Sequence, residues 1–183
     1  YPKNTYLDGF WQSEKYFKPI RNLLLEELSL KAGFSGEAQV VGNKISSCNA
    51  VSVHIRRGDY VSDKNVNSHH GALQLDFYQK AMEALKQQTN VDHAFVFSDD
   101  IKWCKENIKF DITTSFVEFT TKVSGSEEMM LMSKCKHNII ANSSFSWWAA
   151  WLNRNESKKV IAPKNWFTSL ENPDIYPEGW IKL

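Results

Sequence analysis

The sequence predicts an α/β fold, a mostly parallel Rossmann-like sheet with helices on both faces. Three observations lead to this prediction. The 183 residues, 42% of them hydrophobic, suffice for one well-buried domain. From residue 50 onward, short apolar runs alternate with segments of helical periodicity. Strands that alternate with helices in this way form a parallel sheet whose two faces are both covered.

The region before this alternation, residues 1–48, is predicted to be a helical lead-in, and residues 49–183 to be the sheet domain. Residues 1–15 are polar and aromatic and predict irregular structure. Residues 16–31 have leucines at helical spacing, with Pro19 in the first turn. Several glycines then predict a loop as far as Cys48.

Strands and helices of the sheet domain follow one another in alternation. Predicted strands occupy 50–56, 93–98, 114–119, 137–141 and 158–163. Predicted helices occupy 75–89, 99–108, 125–135 and 142–153, and Asp76 and Ser126 are candidate N-caps. A polar loop is expected at 58–74 and a tail rich in proline and tryptophan at 164–183.

The composition excludes several classes of protein. The 22 basic and 21 acidic side chains leave a net charge of +1, without the basic footprint of a nucleic-acid binder. Three cysteines without a CxxC pair predict neither a disulfide set nor a zinc site, and favour a reducing compartment. No apolar run is long enough to cross a bilayer, and no P-loop or GxSxG motif occurs. Four tryptophans between residues 147 and 166 indicate a packed core rather than a sugar platform.

The first predicted strand ends in two arginines. Alternation directs His54 and Arg56 to one face and Arg57 to the other, so the two arginines should have different roles. Gly58 permits a sharp turn after them. A guanidinium suits a phosphate, although a surface ion pair between Arg57 and Asp59 would explain the same residues. Residues 57–59 also match an adhesion tripeptide, which requires an exposed loop and here continues a core strand.

Polar residues follow the later strands as well, and the carboxyl ends of parallel strands meet at one edge of a sheet. These residues are Ser98, Asp99 and Asp100 after the second strand, Glu127 and Glu128 at the next helix, and Asn142, Ser143, Ser144 and Ser146 after the fourth strand. Each group alone is explained by N-capping or by the helix dipole. Together with the arginines they suit a nucleoside diphosphate, with the acids at the ribose and base and the cation and a helix N-terminus at the pyrophosphate.

No metal site is predicted. His69 and His70 lack a third ligand, and no other spacing of His, Cys and Asp indicates a metal geometry. Cationic side chains are therefore expected to oppose the charge on a leaving diphosphate.

Four stretches of the chain resemble the α-1,2-fucosyltransferases of glycosyltransferase family 11, especially the bacterial members. They are "HIRRGDYV", "FSDDIKWCKENI", "LMSKCKHNIIANSSFSWWAAWLN" and "VIAPKNWF", and the opening "YLDGFWQSEKYF" resembles the middle segment of the same family. The resemblance implies an inverting, metal-independent transfer of L-fucose from GDP-β-L-fucose to the 2-hydroxyl of a galactose-terminated glycan. It also implies that this chain is the donor-binding part of a GT-B-like enzyme.

The resemblance also implies roles for single residues. His54, Arg56 and Asp59 belong to the catalytic signature, and Arg56 is expected at the GDP phosphates, with a less defined role for Arg57. Asp99 or Asp100 and Glu128 are expected near guanosine, and Ser143, Ser144 and Ser146 near the diphosphate. Either Asp59 or His54 is the candidate base that removes the acceptor proton.

Two departures from the family pattern stand out. No glycine-rich "GGLGNQ"-type segment occurs, so we expect the chain to be the C-terminal portion of a longer enzyme. Ala149 replaces an expected glycine. A fucosyltransferase of another linkage and a GDP-binding module without catalysis are the alternatives. Asn142 and Asn155 match the glycosylation sequon, but a glycan on Asn142 would block the donor site, which favours a bacterial cytoplasmic enzyme, free or peripheral at the inner membrane face.

Overall fold

The computed structural model describes residues 4–6, 8, 11–168 and 174–183. Within them, eight α-helices surround a sheet of six strands. The strands are β1 (Ala50–Ile55), β2 (His93–Ser98), β3 (Thr113–Phe116), β4 (His137–Ile139), β5 (Val160–Ala162) and β6 (Ile181–Lys182). The helices are α1 (Arg21–Glu27), α2 (Gly36–Ser46), α3 (Gly58–Ser62), α4 (Lys64–His70), α5 (Leu75–Lys86), α6 (Ile101–Asn107), α7 (Gly125–Lys134) and α8 (Ser144–Leu152).

All pairs of neighbouring strands are parallel, in the order β3-β2-β1-β4-β5-β6. The predicted α/β fold is therefore confirmed. Side chains of successive strand residues enter different cores because they alternate across the sheet. Val51, Val53 and Ile55 pack with α5 and α6 on one face, whereas Ala50 lies on the other face with α2 and α7.

The stretch from Gly36 to Ser46 is a helix, and the prediction of a loop there was wrong. Ala38, Gly42 and Ile45 form its buried stripe. A Cβ built on Gly42 would lie 3.4 Å from Leu131 Cδ2, so glycine allows α2 and α7 to approach closely. The glycine that suggested a loop is thus a helix-packing residue.

Two other segments also differ from the prediction. The helix predicted at 16–31 consists of two 3₁₀ turns, Glu14–Tyr16 and Lys18–Ile20, followed by the short α1. The polar loop predicted at 58–74 contains α3 and α4, because Asp63 between them accepts hydrogen bonds from two backbone N–H groups at the start of α4. Their length of five and seven residues is too short for periodicity to reveal.

The N-caps differ as well. Ser124, and not Ser126, caps α7, and it forms a capping box with Glu127. Gln74 precedes α5 without a side-chain cap, so Asp76 is not the N-cap. The predicted tail includes β6, which pairs with β5. Parts of the predicted lead-in and tail (1–3, 7, 9, 10 and 169–173) lie outside the described residues, and the domain boundary at 48–49 stays a prediction.

Membrane crossing was assessed from helix length and hydropathy. In the part of the chain that the structure describes, no helix is long and apolar enough to cross a bilayer.

Candidate active site

The sheet reverses its winding direction at β1, which defines the candidate site. From β1 the chain moves outward through β2 to β3, and it then returns to β4 on the opposite side of β1. In open parallel sheets such a reversal leaves a crevice at the carboxyl ends of the two central strands, and ligands bind there. The residues after β1 and after β4 are therefore the first candidates for contact with a ligand.

Arg56 leaves β1 into this crevice and is held by two carboxylates. Its Nη2 lies 2.7 Å from Asp59 Oδ1, and its Nη1 lies 2.8 Å from Asp99 Oδ2. The guanidinium also lies over the ring of Tyr60, 5.6 Å from its centroid. Its side chain remains 35% exposed. Arg56 is thus held in one orientation by contacts within the protein, while part of its side chain stays exposed.

Arg57 lies in a different environment, as strand alternation predicted. Its guanidinium stacks on Trp103 at 3.7 Å from the ring centroid, and its Nε lies 3.3 Å from Asp100 Oδ2. Asp100 also caps α6 by accepting from the backbone N–H of Trp103. Asp100, rather than Asp99 or Ser98, is therefore the N-cap of α6.

Asp99 connects the ends of β1 and β2. Its carboxylate accepts hydrogen bonds from the backbone N–H groups of Arg57 and Gly58, in addition to the Arg56 guanidinium. A Cβ on Gly58 would lie only 2.7 Å from Asp99 Oδ2, so this close approach requires glycine. Three protein donors therefore surround the carboxylate of Asp99. Its role at guanosine stays a prediction.

The charged side chains at this edge do not add up to a positive site. Two guanidiniums and three carboxylates give a net charge of −1, from Arg56, Arg57, Asp59, Asp99 and Asp100.

The adhesion interpretation of residues 57–59 loses support here, because both charged side chains of the tripeptide are in ion pairs within the protein.

His54 lies beneath the site and is only 6% exposed. Its ring lies 5.7 Å from that of Phe145, and its Nδ1 is buried without a partner among the described residues. Burial lowers the pKa of His54 to about 4, although the nearby Asp99 opposes this shift. His54 is therefore neutral at pH 7.

We expect His54 to reduce stability as the pH falls. Its folded-state pKa of about 4 lies below the ordinary value of 6.5, so between these values only the unfolded chain takes up the proton. The contribution of His54 to the free energy of unfolding is complete above pH 6.5, and about 3 kcal/mol of it is lost by pH 4. Urea unfolding of the wild type and of His54→Asn at several pH values measures this contribution.

In His54→Asn, the part of the decrease in the free energy of unfolding at acid pH that comes from His54 should disappear. The losses from His70, His93 and His137 should remain, because burial lowers the pKa of each of them as well. The same pH dependence in both proteins would contradict a buried neutral His54.

Asn142, one of the polar residues that follow the fourth strand, joins three parts of the site. It is 1% exposed, and its Nδ2 donates to the backbone carbonyls of His70, Gly71 and Trp166. The backbone carbonyl of Asn142 accepts a hydrogen bond from the Tyr60 hydroxyl at 3.0 Å. Asn142 and Tyr60 thereby fix the segments that follow β1, β4 and β5 relative to one another. Tyr60 was not predicted as a site residue, and its place in the stretch "HIRRGDYV" shortly after β1 was the signal available in the sequence.

The predicted serines have different environments. Ser143 is the N-cap residue of α8 and makes no side-chain capping hydrogen bond, and Ser144 is exposed. Ser146 is buried, and its hydroxyl donates to the carbonyls of Ala141 and Ser143. The hydroxyls of Ser143 and Ser144 are thus not used in capping α8, whereas the hydroxyl of Ser146 is hydrogen-bonded inside the protein, and contact of the serines with a diphosphate stays a prediction.

The two glutamates of α7 are also distinct. Glu127 accepts hydrogen bonds from Ser35 and Ser124, and those from Ser35 contribute most to lowering its pKa to about 2. Glu128 is half-buried, and burial raises its pKa. Glu127 thus has a structural role in the capping box, and the placement of Glu128 at guanosine stays a prediction.

The tryptophan cluster is part of the core, as predicted. Trp147, Trp151 and Trp166 are buried, and Trp148 is half-buried. Trp147 Nε1 donates to the carbonyl of Ile175, which anchors the C-terminal segment on α8.

Metal ligands were considered from side-chain clusters. Among residues 4–6, 8, 11–168 and 174–183, no group of three or more His, Cys, Asp or Glu side chains is arranged to hold a metal ion.

Comparison with known proteins gives consistent matches. The α-1,2-colitosyltransferase of Escherichia coli is 40% identical over 181 residues, which cover 96% of this chain and 61% of that protein. The O-antigen biosynthesis glycosyltransferase WbnK of Escherichia coli is 39% identical over 137 residues, covering 75% of this chain and 45% of that protein. Galactoside α-(1,2)-fucosyltransferase 1 of Bos taurus is 28% identical over 194 residues, which cover 97% of this chain and 52% of that protein.

The chain thus spans about half to three-fifths of the length of these relatives. The family model for glycosyl transferase family 11 matches residues 1–183. Since this match runs over every residue of the chain and the parallel α/β sheet agrees with it, the chain belongs to glycosyl transferase family 11.

Proposed function

We propose that the protein is the donor-binding part of an inverting, GT-B-like glycosyltransferase. It would transfer L-fucose, or a closely related deoxy sugar, from a GDP-activated donor to the 2-hydroxyl of a galactose-terminated glycan. The observation that carries this proposal is that Arg56, held by Asp59 and Asp99, follows β1, while α8 begins after the neighbouring strand β4, at the carboxyl edge where the winding of the sheet reverses. The names of the relatives, which include α-1,2-colitosyl and α-1,2-fucosyl transfer, support the linkage.

The diphosphate is proposed to lie between Arg56 and α8. The net charge of −1 at this edge means that excess charge alone does not hold an anion. The N–H groups at the start of α8 provide directed donors and a partial positive charge. A guanidinium has several N–H donors, so Arg56 retains some for phosphate while it contacts Asp59 and Asp99.

The proposed transfer is a single displacement at the anomeric carbon. The acceptor oxygen forms its bond as the bond to GDP breaks, which inverts the configuration, and a base takes the acceptor proton. Arg56 stabilises the negative charge that develops on GDP, without a metal ion. Asp59 is the better candidate for the base, because its side chain is 45% exposed whereas His54 is 6% exposed and has a pKa of about 4.

Colitose is a second candidate for the transferred sugar. The relative that is 40% identical is named an α-1,2-colitosyltransferase. Colitose differs from fucose by the loss of the 3-hydroxyl, so both sugars present similar shapes to a donor site. A site that hydrogen-bonds the 3-hydroxyl would discriminate strongly against colitose, whereas an apolar site would discriminate weakly.

The test combines nucleotide binding with transfer. Calorimetry of the full-length protein should show binding of GDP in preference to UDP and ADP. Incubation with GDP-fucose or GDP-colitose and a galactose-terminated acceptor should give an α-1,2 product, identified by NMR, at a rate that EDTA does not change. Preference for UDP or ADP, or a product of another linkage, would contradict the proposal, and GDP binding without transfer would indicate a binding module.

We also propose a bacterial cytoplasmic location. The most identical relatives given above are Escherichia coli proteins. Asn142, the sequon asparagine at the site, is 1% exposed and its amide is hydrogen-bonded, so a glycan there is incompatible with the fold.

A further inference from the structure

A groove lies at the edge of the sheet opposite the candidate active site. It encloses about 480 Å³ between α1 and the loop after it, the C-terminal half of α7, and the residues that join α8 to β5. α7 ends where β4 is about to begin, so the groove lies at the amino-terminal edge of the sheet. The six-residue strand β1 spans about 20 Å, which separates the groove from Arg56.

The floor of this groove is apolar and open. Leu25 and Leu152 are buried at its base, and Phe34 and Met130 are half-buried along its sides. Leu28 lines it with 42% of its surface exposed. An apolar groove that stays open in this way is typical of a site of interaction.

Three cations form the rim, and we name the whole feature the basic groove. They are Lys134, Lys136 and Arg154, and the lining contains no acidic residue. In the described parts of the chain, none of the three has a carboxylate oxygen within 4.0 Å, whereas Lys15, Lys80 and Lys105 each pair with an acid.

The contacts of the rim cations leave their charge uncompensated. Lys136 donates to the side-chain oxygen of Asn49, and Arg154 donates to the backbone carbonyl of Leu25. Both acceptors are neutral. Lys134 lies in the last turn of α7, where the helix dipole favours a cation, but this reason does not extend to Lys136 and Arg154.

From these contacts we propose that the basic groove binds an anionic lipid at a membrane surface. The phosphate of the headgroup meets the three cations, and the acyl chain lies on the apolar floor. Charge complementarity selects this occupant. A symmetric contact with a second copy would place the same cations against each other. Leu28, at the exposed edge of the groove, then enters the boundary between headgroups and acyl chains. This proposal does not depend on the proposed transfer activity.

Flotation with lipid vesicles tests this site. The full-length protein should float with phosphatidylcholine vesicles that contain phosphatidylglycerol, should not float with pure phosphatidylcholine, and should dissociate at high salt. The double variant Lys134→Gln/Lys136→Gln should bind about 25-fold more weakly, because each basic residue near an anionic surface contributes about fivefold in affinity. Leu28→Gln, at an exposed position, should also weaken binding while leaving the thermal unfolding midpoint unchanged.

The matched control is Lys102→Gln/Lys122→Gln, which removes the same charge from exposed positions outside the groove. It should bind vesicles like the wild type. The proposal is overturned if the control loses as much affinity as the groove variant, or if the wild type ignores phosphatidylglycerol vesicles. It is also overturned if both the lysine and the Leu28 variants bind as tightly as the wild type. A dimer of the wild type that the groove variant dissociates would assign the groove to a second copy instead.

Discussion

Replacement of Arg56 by alanine should lower the affinity for GDP by at least roughly 100-fold, about 3 kcal/mol. Arg56 is the cation of the proposed phosphate site, and it is already held by Asp59 and Asp99 at 2.7 and 2.8 Å. Its removal takes away the charged donor and leaves both carboxylates to repel the diphosphate. Calorimetry with GDP measures the loss, and circular dichroism should show an intact fold because all three side chains are partly exposed.

Arg57→Ala is the matched control for this experiment. Arg57 is the neighbouring arginine, but it stacks on Trp103 and pairs with Asp100 on the other side of the strand end. We expect a change in GDP affinity of less than about tenfold, since an ion pair of this kind contributes about 1 kcal/mol or less. Arg56→Lys should stay impaired, because lysine lacks the planar fork. An unchanged GDP affinity in Arg56→Ala would show that Arg56 does not bind the phosphates.

Replacement of Trp147 by alanine should lower the free energy of unfolding by about 4 kcal/mol. Trp147 is 1% exposed and contacts the rings of Phe17, Trp151 and Trp180. The substitution creates a cavity and also leaves the carbonyl of Ile175 without its indole donor. Urea unfolding followed by circular dichroism measures the loss.

Trp11→Ala serves as the control for the tryptophan experiment. Trp11 is 42% exposed and contacts Tyr16 edge to face at 5.2 Å. We expect a loss of less than about 1 kcal/mol, because little buried area and no cavity are involved. A loss below about 1 kcal/mol in Trp147→Ala would mean that the tryptophan cluster is not a tightly packed core.

Local pattern was sufficient for the strands and insufficient for the short helices. Strands β1 to β5 were predicted close to their observed positions, because apolar segments bounded by polar turns are recognisable in the sequence, whereas the two-residue β6 was missed. The segment 36–46 was wrongly predicted as a loop because a glycine such as Gly42 can either end a helix or allow a close helix contact. It breaks isolated helices, but in α2 it admits the side chain of Leu131.

The candidate site shows the same division between pattern and packing. Polar residues at strand ends pointed to the carboxyl edge, and the structure brings those after β1, β2 and β4 together there. The ion pairs among these side chains could not be predicted from the sequence. The surface pair expected between Arg57 and Asp59 does not form, since Arg57 turns to Asp100 and Asp59 to Arg56.

By itself, the sequence determined the fold class, the family and the edge of the sheet at which polar groups gather. These depend on periodicity, on motif spacing and on the rule that parallel strands end at one edge. Only the tertiary structure decided that Asp99 holds the start of α3, that Asn142 joins three segments, and that uncompensated cations border an apolar groove at the opposite edge. Such contacts join residues far apart in the chain, and strand order and side-chain packing determine them.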